Sequence, residues 1–287
     1  MIRLGGHGVD ADPAGDPLEF AKAHKRFGYG AAYCPPVELS DTNRLRAIEQ
    51  AFADEDVKIA ELGIWKNVTA VEPEVRKAHQ ARAIECLTIA DEVNAGCAVT
   101  YIGTFEPNSD YAPHPKNLSA EAFDLAVETV RHIIDSVKPK RAKFALEMMQ
   151  YALPDSVDCY LDLIRAVDRP AFAAHVDPVN LIMTPRTYYN NAGLLNEIFS
   201  KLGNFIVSCH AKDIILYHQA ALHLDEVMIG DGPMDYRAFL RELEKLGRDV
   251  PLMLEHLEHD EYAIARDRVF AVGDEIGIGF RHRASAA

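Results

Sequence analysis

The sequence predicts an α/β protein, a single (β/α)8 TIM barrel that spans residues 1–287 as one domain. Short apolar segments alternate with longer amphipathic segments along the whole chain, eight of each. The apolar segments are nearly continuous in hydrophobic residues, which is typical of parallel strands that are covered on both faces. A length of 287 residues is usual for one such barrel and long for most other single domains.

The predicted strands and helices follow one another in strict alternation. The strands are expected at 2–7, 30–34, 57–64, 97–103, 142–147, 171–177, 205–210 and 250–255. The helices are expected at 16–27, 42–55, 73–94, 119–138, 155–167, 191–202, 235–247 and 260–275. Ser119 opens the fourth helix, whose apolar residues form one stripe, and Asp155 can cap the fifth. Pro73 suits the first turn of the third helix.

A doubly wound open sheet is the alternative fold for such an alternation. That fold normally carries a Gly-rich turn between its first strand and first helix. The corresponding segment here, GGHGVDADPAGD, does not fit the pattern GxGxxG. The barrel is therefore favoured.

Composition excludes some classes of function. The net charge of −14, from 44 acidic against 30 basic residues, argues against nucleic acid as the main partner. The five cysteines are scattered and form no CxxC pair, which indicates reduced thiols. The start MIRLGGHG lacks the apolar stretch of a signal peptide, and no run approaches the ~20 residues of a membrane span. We therefore expect a soluble, cytoplasmic protein.

Each of the last four predicted strands ends on a residue that can bind a metal. These residues are Glu147 in KFALE, Asp177 in AAHVD, His210 in FIVSCH and Glu255 in VPLMLE. In a barrel the carboxyl ends of the strands form the active face, so the four side chains would meet there. Three carboxylates at close range repel one another, and a divalent cation removes that repulsion. Oxygen ligands with one imidazole suit Mn²⁺, Mg²⁺ or Co²⁺ better than Zn²⁺, because no cysteine is in the set.

A simpler interpretation exists for each of these residues alone. A carboxylate at a strand end is commonly a helix cap or an ion-pair partner. The coincidence on four contiguous strands favours a shared metal site over four separate structural roles. His175 shares a strand face with Asp177, and we expect it to be a core histidine rather than a ligand.

The same residues lie in motifs that resemble the xylose-isomerase-like TIM-barrel superfamily. The resemblance is to its sugar and sugar-phosphate isomerase/epimerase branch, which includes the ketose 3-epimerases. The motifs are LEMM at Glu147, HVDPVN at Asp177, CHAKD at His210, IGDGPMDY at 229–236 and LMLEH at Glu255. The resemblance covers the second half of the chain in order and spacing, and the first half only in its alternation of strands and helices.

The resemblance implies one divalent cation, Mn²⁺ in first place, bound by Glu147, Asp177, His210 and Glu255. It also implies that Glu147 and Glu255 are the catalytic acid/base pair for a ketose, a ketose phosphate or a related sugar derivative. Removing a proton next to a carbonyl gives an enediolate, whose negative oxygen a cation stabilises. Epimerisation then requires one carboxylate to take the proton and another to return it from the opposite face.

Departures from the ketose 3-epimerase pattern leave the sugar open. Asn180 stands where many of these enzymes have a histidine, and Leu153 stands where several have a glutamate. Lys212 is the only basic residue soon after His210, where they carry an arginine. We therefore predict no psicose- or tagatose-type specificity.

Four residues are candidates for substrate binding: His7, Trp65, Asn180 and Lys212. His7 ends the first strand, where a sugar hydroxyl can be contacted. Trp65 follows the third strand and can stack on a sugar or cover the mouth. For Lys212, an ion pair with Asp213 or with a barrel carboxylate is an equal alternative. Residues 184–191 are expected to form a loop on the active face.

Other functions remain open at this point. The same metal and base could serve a lyase or dehydratase that expels a group from a keto-sugar, keto-glycoside or inosose. A barrel that binds sugars without chemistry is a third hypothesis, although all four ligands are present. A phosphodiester-cleaving relative fits less well, because such sites gather more histidines. The partner is in each case a small sugar molecule rather than a membrane or nucleic acid, and a homo-oligomer is an open alternative.

Overall fold

A computed structural model describes residues 1–283 and contains a closed barrel of eight parallel strands. The order around the barrel is β1-β10-β7-β6-β5-β4-β3-β2. These strands are β1 (Arg3–Gly5), β2 (Ala31–Tyr33), β3 (Lys58–Gly63), β4 (Cys97–Thr100), β5 (Lys143–Glu147), β6 (Phe172–Val176), β7 (Ile206–Ala211) and β10 (Pro251–Leu254). The predicted fold class, a (β/α)8 TIM barrel, is confirmed.

Helices cover the outside of the barrel in the expected order. They are α1 (Pro17–Arg26), α2 (Thr42–Asp54), α3 (Pro73–Glu92), α4 (Ala120–Val137), α5 (Val157–Val167), α6 (Pro185–Tyr189), α7 (Asn191–Leu202), α8 (Tyr236–Lys245) and α9 (Glu261–Ile276). Ser119 caps α4 as predicted, whereas Ser156 rather than Asp155 caps α5. Among the helices of residues 1–283, none combines the length and hydrophobicity needed to cross a membrane.

Three features differ from the sequence prediction. Residues 213–227 contain an antiparallel hairpin, β8 (Asp213–Leu216) with β9 (Leu224–Val227), that was not predicted. The segment 184–191, predicted as a loop, contains α6, which Thr184 caps. Strand β7 continues one residue beyond His210, because Ala211 still pairs with Leu254.

Two β-bulges decide which side chains face the barrel interior. The register between β2 and β3 shifts after Ala32, so that Tyr33 pairs with Glu61 instead of Ala60. Ile59 packs outward against the helices, and regular alternation would direct Glu61, two residues later, outward as well. The extra residue, Ala60, turns Glu61 inward instead. Glu61 thus becomes a buried carboxylate inside the barrel.

The second bulge acts in the same way on β7. The register between β6 and β7 shifts so that Ala174 pairs with Ile206 but His175 pairs with Ser208. Ile206 packs against the helices, and strict alternation from it would direct residue 210 outward as well. The extra residue, Val207, reverses the inward and outward alternation of the side chains that follow it, so His210 points into the barrel.

Tyr160 of α5 holds β5 and β6 together below the carboxyl face. Its hydroxyl donates to the carbonyl oxygen of Ala173 at 3.0 Å and accepts from the amide of His175 at 3.1 Å. It also contacts both backbone polar groups of Leu146. Glu147 ends β5 and Asp177 directly follows β6, so this fully buried phenol fixes the relative position of the two carboxylates' strands.

Candidate metal centre

The side chains that the sequence predicts as metal ligands meet at the carboxyl face of four neighbouring strands. Nδ1 of His210 lies 2.9 Å from Oε1 of Glu147 and 2.9 Å from Oε2 of Glu255. Oδ2 of Asp177 lies 3.9 Å from the same nitrogen. One ligand atom from each of the four residues lies within 4.8 Å of the other three. The cluster is buried apart from Glu255, whose side chain is 17% exposed.

Two oxygens of this cluster lack hydrogen bonds. Among the described residues, Oδ2 of Asp177 and Oε2 of Glu255 are buried and have no hydrogen-bond partner. Both lie 2.9 Å from Nζ of Lys212, but these ion-pair contacts do not have hydrogen-bond geometry. Buried carboxylate oxygens in that condition are costly. Oxygen atoms and one imidazole nitrogen that converge in this way fit a hard divalent cation.

The other ring nitrogen of His210 is fixed by Glu61 of β3. Nε2 of His210 donates to Oε1 of Glu61 at 3.0 Å. Oε2 of Glu61 accepts from Nε2 of His175 at 3.0 Å and from the hydroxyl of Ser208 at 2.7 Å. Because Nε2 of His210 carries a proton, the lone pair of the neutral ring lies on Nδ1, which faces the three carboxylates. Glu61 therefore orients the imidazole so that Nδ1 can serve as a metal ligand.

Burial and charge shift the pKa values in this cluster in different directions. Burial lowers the pKa of His210, but Glu255 and Glu61 outweigh it, so that the pKa is well above its usual value. Burial raises the pKa of Glu61, but the two adjacent histidines hold it well below the usual value. Burial raises the pKa of Glu147. The pKa of Glu255 is lowered, because His210 and Lys212 outweigh the effect of burial.

Lys212 lies beside the cluster and pairs with barrel carboxylates. Its Nζ is 2.9 Å from Asp177 and from Glu255, and 3.4 Å from Oε1 of Glu226 in β9. Of the two ion pairs that the sequence left open for Lys212, the one with barrel carboxylates is present. Glu226 also accepts from Nδ1 of His256 at 2.7 Å, so the β8–β9 hairpin contributes a carboxylate to the rim of the site.

Asp213 has a separate role, which explains the motif IGDGPMDY. Its buried carboxylate accepts backbone N–H groups from Ile214, Gly230 and Met234 at 2.9 to 3.1 Å, and from Gly232 at 3.3 Å. Three donors of the 229–236 loop and one donor of β8 thus converge on a single carboxylate. A Cβ atom at Gly232 would lie 2.2 Å from Oδ1 of Asp213, so the close approach requires glycine there.

Trp65 lies next to His210 and packs against the interior cluster of Cys97, Val99 and Ala145, and the expectation that it binds substrate or covers the mouth stays a prediction. The centroids of its ring and of the His210 ring are 6.2 Å apart. Its backbone is in the left-handed region, with φ of 48°. A Cβ atom at Gly63 would lie 2.2 Å from Nε1 of Trp65, so glycine at the end of β3 leaves room for the indole.

Asn180 and His7 lie outside the four-residue cluster. Asn180 is buried, and its amide donates to the carbonyl of Met148 at 3.0 Å and accepts from Gln150 at 3.1 Å. Both ends of that amide are therefore engaged within the protein. His7 is exposed at the end of β1, where its ring stacks on Tyr33 with centroids 4.4 Å apart.

Sequence reasoning did not identify Glu61, Ser208 or Glu226. The signal for Glu61 was a carboxylate within the apolar run VKIAELGI, but strict alternation did not indicate which face it takes. His175 lies in the core as expected, and it also donates to Glu61, while its Nδ1 has no partner among the described residues.

The fold and the cluster together define a class of protein, a TIM barrel with a carboxylate–histidine cluster at its carboxyl face. Within that class, the chain belongs to the xylose isomerase-like TIM barrel family, whose model matches residues 5–273. The family predicted from the motifs is therefore confirmed. A comparison with curated proteins found no match.

Similar solved structures cover nearly the whole chain at low identity. A xylose isomerase-like TIM barrel protein from Mycobacterium smegmatis, in complex with magnesium, is 19% identical with a TM-score of 0.65, over 94% of this chain and 95% of that chain. D-psicose 3-epimerase from Clostridium cellulolyticum H10, with D-tagatose, is 12% identical with a TM-score of 0.67, over 94% and 99%. The 3-keto-D-glucoside 4-epimerase of E. coli is 14% identical with a TM-score of 0.65, over 93% and 100%.

Proposed function

We propose that this protein is a divalent-metal-dependent isomerase or epimerase of a ketose, a ketose phosphate or a related sugar derivative. The observation that carries the proposal is the convergence of three carboxylates on Nδ1 of His210 at the carboxyl face of the barrel. The proposal treats the chain as one catalytic domain that acts on a small molecule in the cytoplasm.

Four side chains would hold the metal: Glu147, Asp177, His210 and Glu255. Mn²⁺ is the preferred ion, with Mg²⁺ and Co²⁺ as alternatives, because the set has three oxygen donors and lacks a thiolate. A bound cation of this kind supplies Lewis-acid stabilisation of the negative oxygen that develops when a proton next to a carbonyl is removed.

Proton transfer would be carried out by Glu147 and Glu255. The strand order places β7 and β6 between β10 and β5, so the two glutamates enter the cluster from different sides. One carboxylate can remove the proton from one face of the substrate, and the other can return it to the opposite face. The ring of Trp65, whose centroid is 6.2 Å from that of His210, would limit the access of water to the reacting carbon.

Two structural neighbours support this proposal by what they bind or do. The protein from Mycobacterium smegmatis was solved with magnesium, and the protein from Clostridium cellulolyticum H10 is an epimerase solved with a ketose. The present chain has the same fold and a donor set that suits such a cation.

The proposal is tested by deuterium exchange. The Mn²⁺-loaded protein is incubated in D₂O with a panel of ketoses, ketose phosphates and keto-glycosides, and uptake next to the carbonyl is followed by NMR or mass spectrometry. We expect exchange with at least one member of the panel. Glu147→Gln and Glu255→Gln are expected to abolish it, whereas Glu258→Gln, an exposed control close in sequence, retains it.

Three results would contradict the proposal. Exchange that persists in both glutamate variants would remove these residues from the mechanism. Undiminished turnover after removal of all metal would remove the cation. Loss of a hydroxyl group or an aglycone, without a retained epimer or isomer, would show elimination instead of isomerisation.

A further inference from the structure

A cavity of about 370 Å³ lies where β1 and β2 end. Its wall includes the stacked rings of His7 and Tyr33. The hydroxyl of Tyr33 donates to the carbonyl oxygen of Leu254 at 3.1 Å, and Leu254 immediately precedes Glu255. The stacked pair therefore connects the wall of the cavity to the strand end that carries Glu255. A volume in this range is typical of sites for small organic molecules.

The lining of this cavity is largely apolar. Val9, Phe20 and Pro35 are buried contributors, and Tyr33 adds an aromatic face. Such surfaces pack against the C–H face of a sugar ring or another uncharged ring. The described residues that line the cavity include no lysine and no arginine. A phosphate would therefore have no lysine or arginine partner in this cavity.

His24 gives the cavity one specific polar feature. The residue is 2% exposed, and its Nδ1 lies 2.9 Å from the carbonyl oxygen of Phe20. Because a carbonyl only accepts, Nδ1 is the donor. Burial lowers the pKa of His24 to about 4, so the ring is neutral at pH 7 and Nε2 is an acceptor. Nδ1 makes the hydrogen bond described for this ring, which leaves Nε2 for a ligand hydroxyl.

We propose that this cavity binds a second, uncharged ring of the substrate, so that the protein prefers ketoses carrying a glycosyl group over free ketoses and ketose phosphates. This inference rests on the proposed isomerase or epimerase function, because it places the reacting ketose at the metal cluster. Binding energy from a ring remote from the reacting carbon raises kcat/KM when it positions that carbon.

Matched substrates test the inference directly. D-Fructose is compared with isomaltulose, which carries a glucosyl ring on O6, and with fructose 6-phosphate, which carries a phosphate on the same oxygen. Leucrose and maltulose place the glucosyl ring on O5 and O4. With the Mn²⁺-loaded protein in D₂O, we expect at least one disaccharide to exchange with a kcat/KM at least about tenfold above that of D-fructose. Fructose 6-phosphate is not expected to exceed D-fructose.

Two variants of one loop locate the effect. Ala11 lines the cavity, and Ala11→Trp fills it. Ala14 lies three residues later and is exposed, so Ala14→Trp is a matched control that makes the same substitution outside the cavity. We expect Ala11→Trp to reduce the preference for the disaccharide to within about threefold of D-fructose, and Ala14→Trp to preserve it. Thermal unfolding of both variants shows that each has folded.

Saturation-transfer difference NMR with the Mg²⁺-loaded protein supplies a readout independent of turnover. Transfer to the glucosyl protons of the preferred disaccharide is expected in the wild-type protein and in Ala14→Trp, and is expected to be lost in Ala11→Trp. Transfer of this kind without any exchange would support the cavity and reject the proposed function.

Other outcomes would overturn the cavity proposal alone. It fails if D-fructose exchanges as well as every disaccharide, or if fructose 6-phosphate is preferred. It also fails if Ala11→Trp leaves the disaccharide preference and the saturation transfer unchanged.

Discussion

Replacing Glu61 by glutamine tests whether this buried carboxylate orients the imidazole of His210, the proposed metal ligand. Glu61 accepts from Nε2 of both His210 and His175 at 3.0 Å. The glutamine amide keeps one acceptor oxygen but replaces the other with an NH₂ group. That group would face a histidine N–H, so one ring must lose its hydrogen bond or change its tautomer. If His210 changes, its proton moves to Nδ1, the nitrogen expected to bind the metal.

The size of the effect follows from these contacts. Groups that orient a metal-binding histidine typically contribute about 10–100-fold to metal affinity, or about 1.4–2.8 kcal/mol. We expect Glu61→Gln to fall in the upper part of this range, because one carboxylate serves two histidines. Ser208→Ala is the matched control, since it removes only the 2.7 Å hydrogen bond to Oε2 and leaves both histidine contacts. Its loss of affinity should stay below about tenfold.

The assay is calorimetric titration of the metal-free protein with Mn²⁺, repeated for each variant. Nitrogen NMR of the Mg²⁺-loaded protein then reports which nitrogen of His210 carries the proton. The reasoning is refuted if folded Glu61→Gln binds Mn²⁺ within about threefold of the wild-type affinity. An unchanged tautomer together with weakened binding would assign the loss to charge instead of orientation.

Further predictions concern protonation, loop packing and strand positioning. Because the pKa of His210 is raised in the metal-free protein, Mn²⁺ must displace a proton, and its affinity should increase as pH rises toward that pKa. Calorimetry in two buffers should count about one released proton. An affinity for Mn²⁺ that does not change with pH would contradict this prediction. Without metal, the protonated ring stabilises the fold below its unfolded pKa of about 6.5, and this contribution is lost as pH rises through the folded pKa. Gly232→Ala should lower the free energy of unfolding by about 1–3 kcal/mol, because its Cβ would lie 2.2 Å from Oδ1 of Asp213. Gly279→Ala, whose Cβ meets its nearest atom at 3.5 Å, is the control, and equal melting temperatures would refute the argument. Tyr160→Phe removes the hydroxyl that links β5 and β6 and should lower the free energy of unfolding, measured by chemical denaturation, by about 1–3 kcal/mol, with weaker Mn²⁺ binding. A decrease below about 0.5 kcal/mol would show that the hydroxyl does not hold the strands.

The parts of the fold that the sequence predicted correctly depend on local signals. The barrel strands are short apolar runs, and the helices have caps and amphipathic stripes, as at Ser119. Glu147, Asp177 and Glu255 could be located because a carboxylate directly after an apolar run marks a strand end. Parallel strands place such residues on one face, so their proximity followed from the fold class alone.

The parts that were missed depend on contacts between distant segments. The side chain of Glu61 faces the interior because of a register shift against β2, which leaves no local mark in the sequence. The strands of the β8–β9 hairpin, DIIL and LDEV, have only four residues each and are partly exposed, so neither shows the apolar alternation of a longer strand. Asp213 anchors the loop at 229–236 through three of its backbone N–H groups and also accepts from Ile214, a set that becomes visible only when residues 213–234 are folded.

The bulge at Val207 has an evolutionary consequence. Because one extra residue in β7 reverses the direction of the side chains that follow, removing a single codon there would turn His210 toward the helices without changing any ligand's identity. A gene could therefore lose this candidate metal centre, or gain it, through one in-frame deletion or insertion. In family alignments, a one-residue gap in this strand would be a better indicator of lost activity than the presence of the histidine itself.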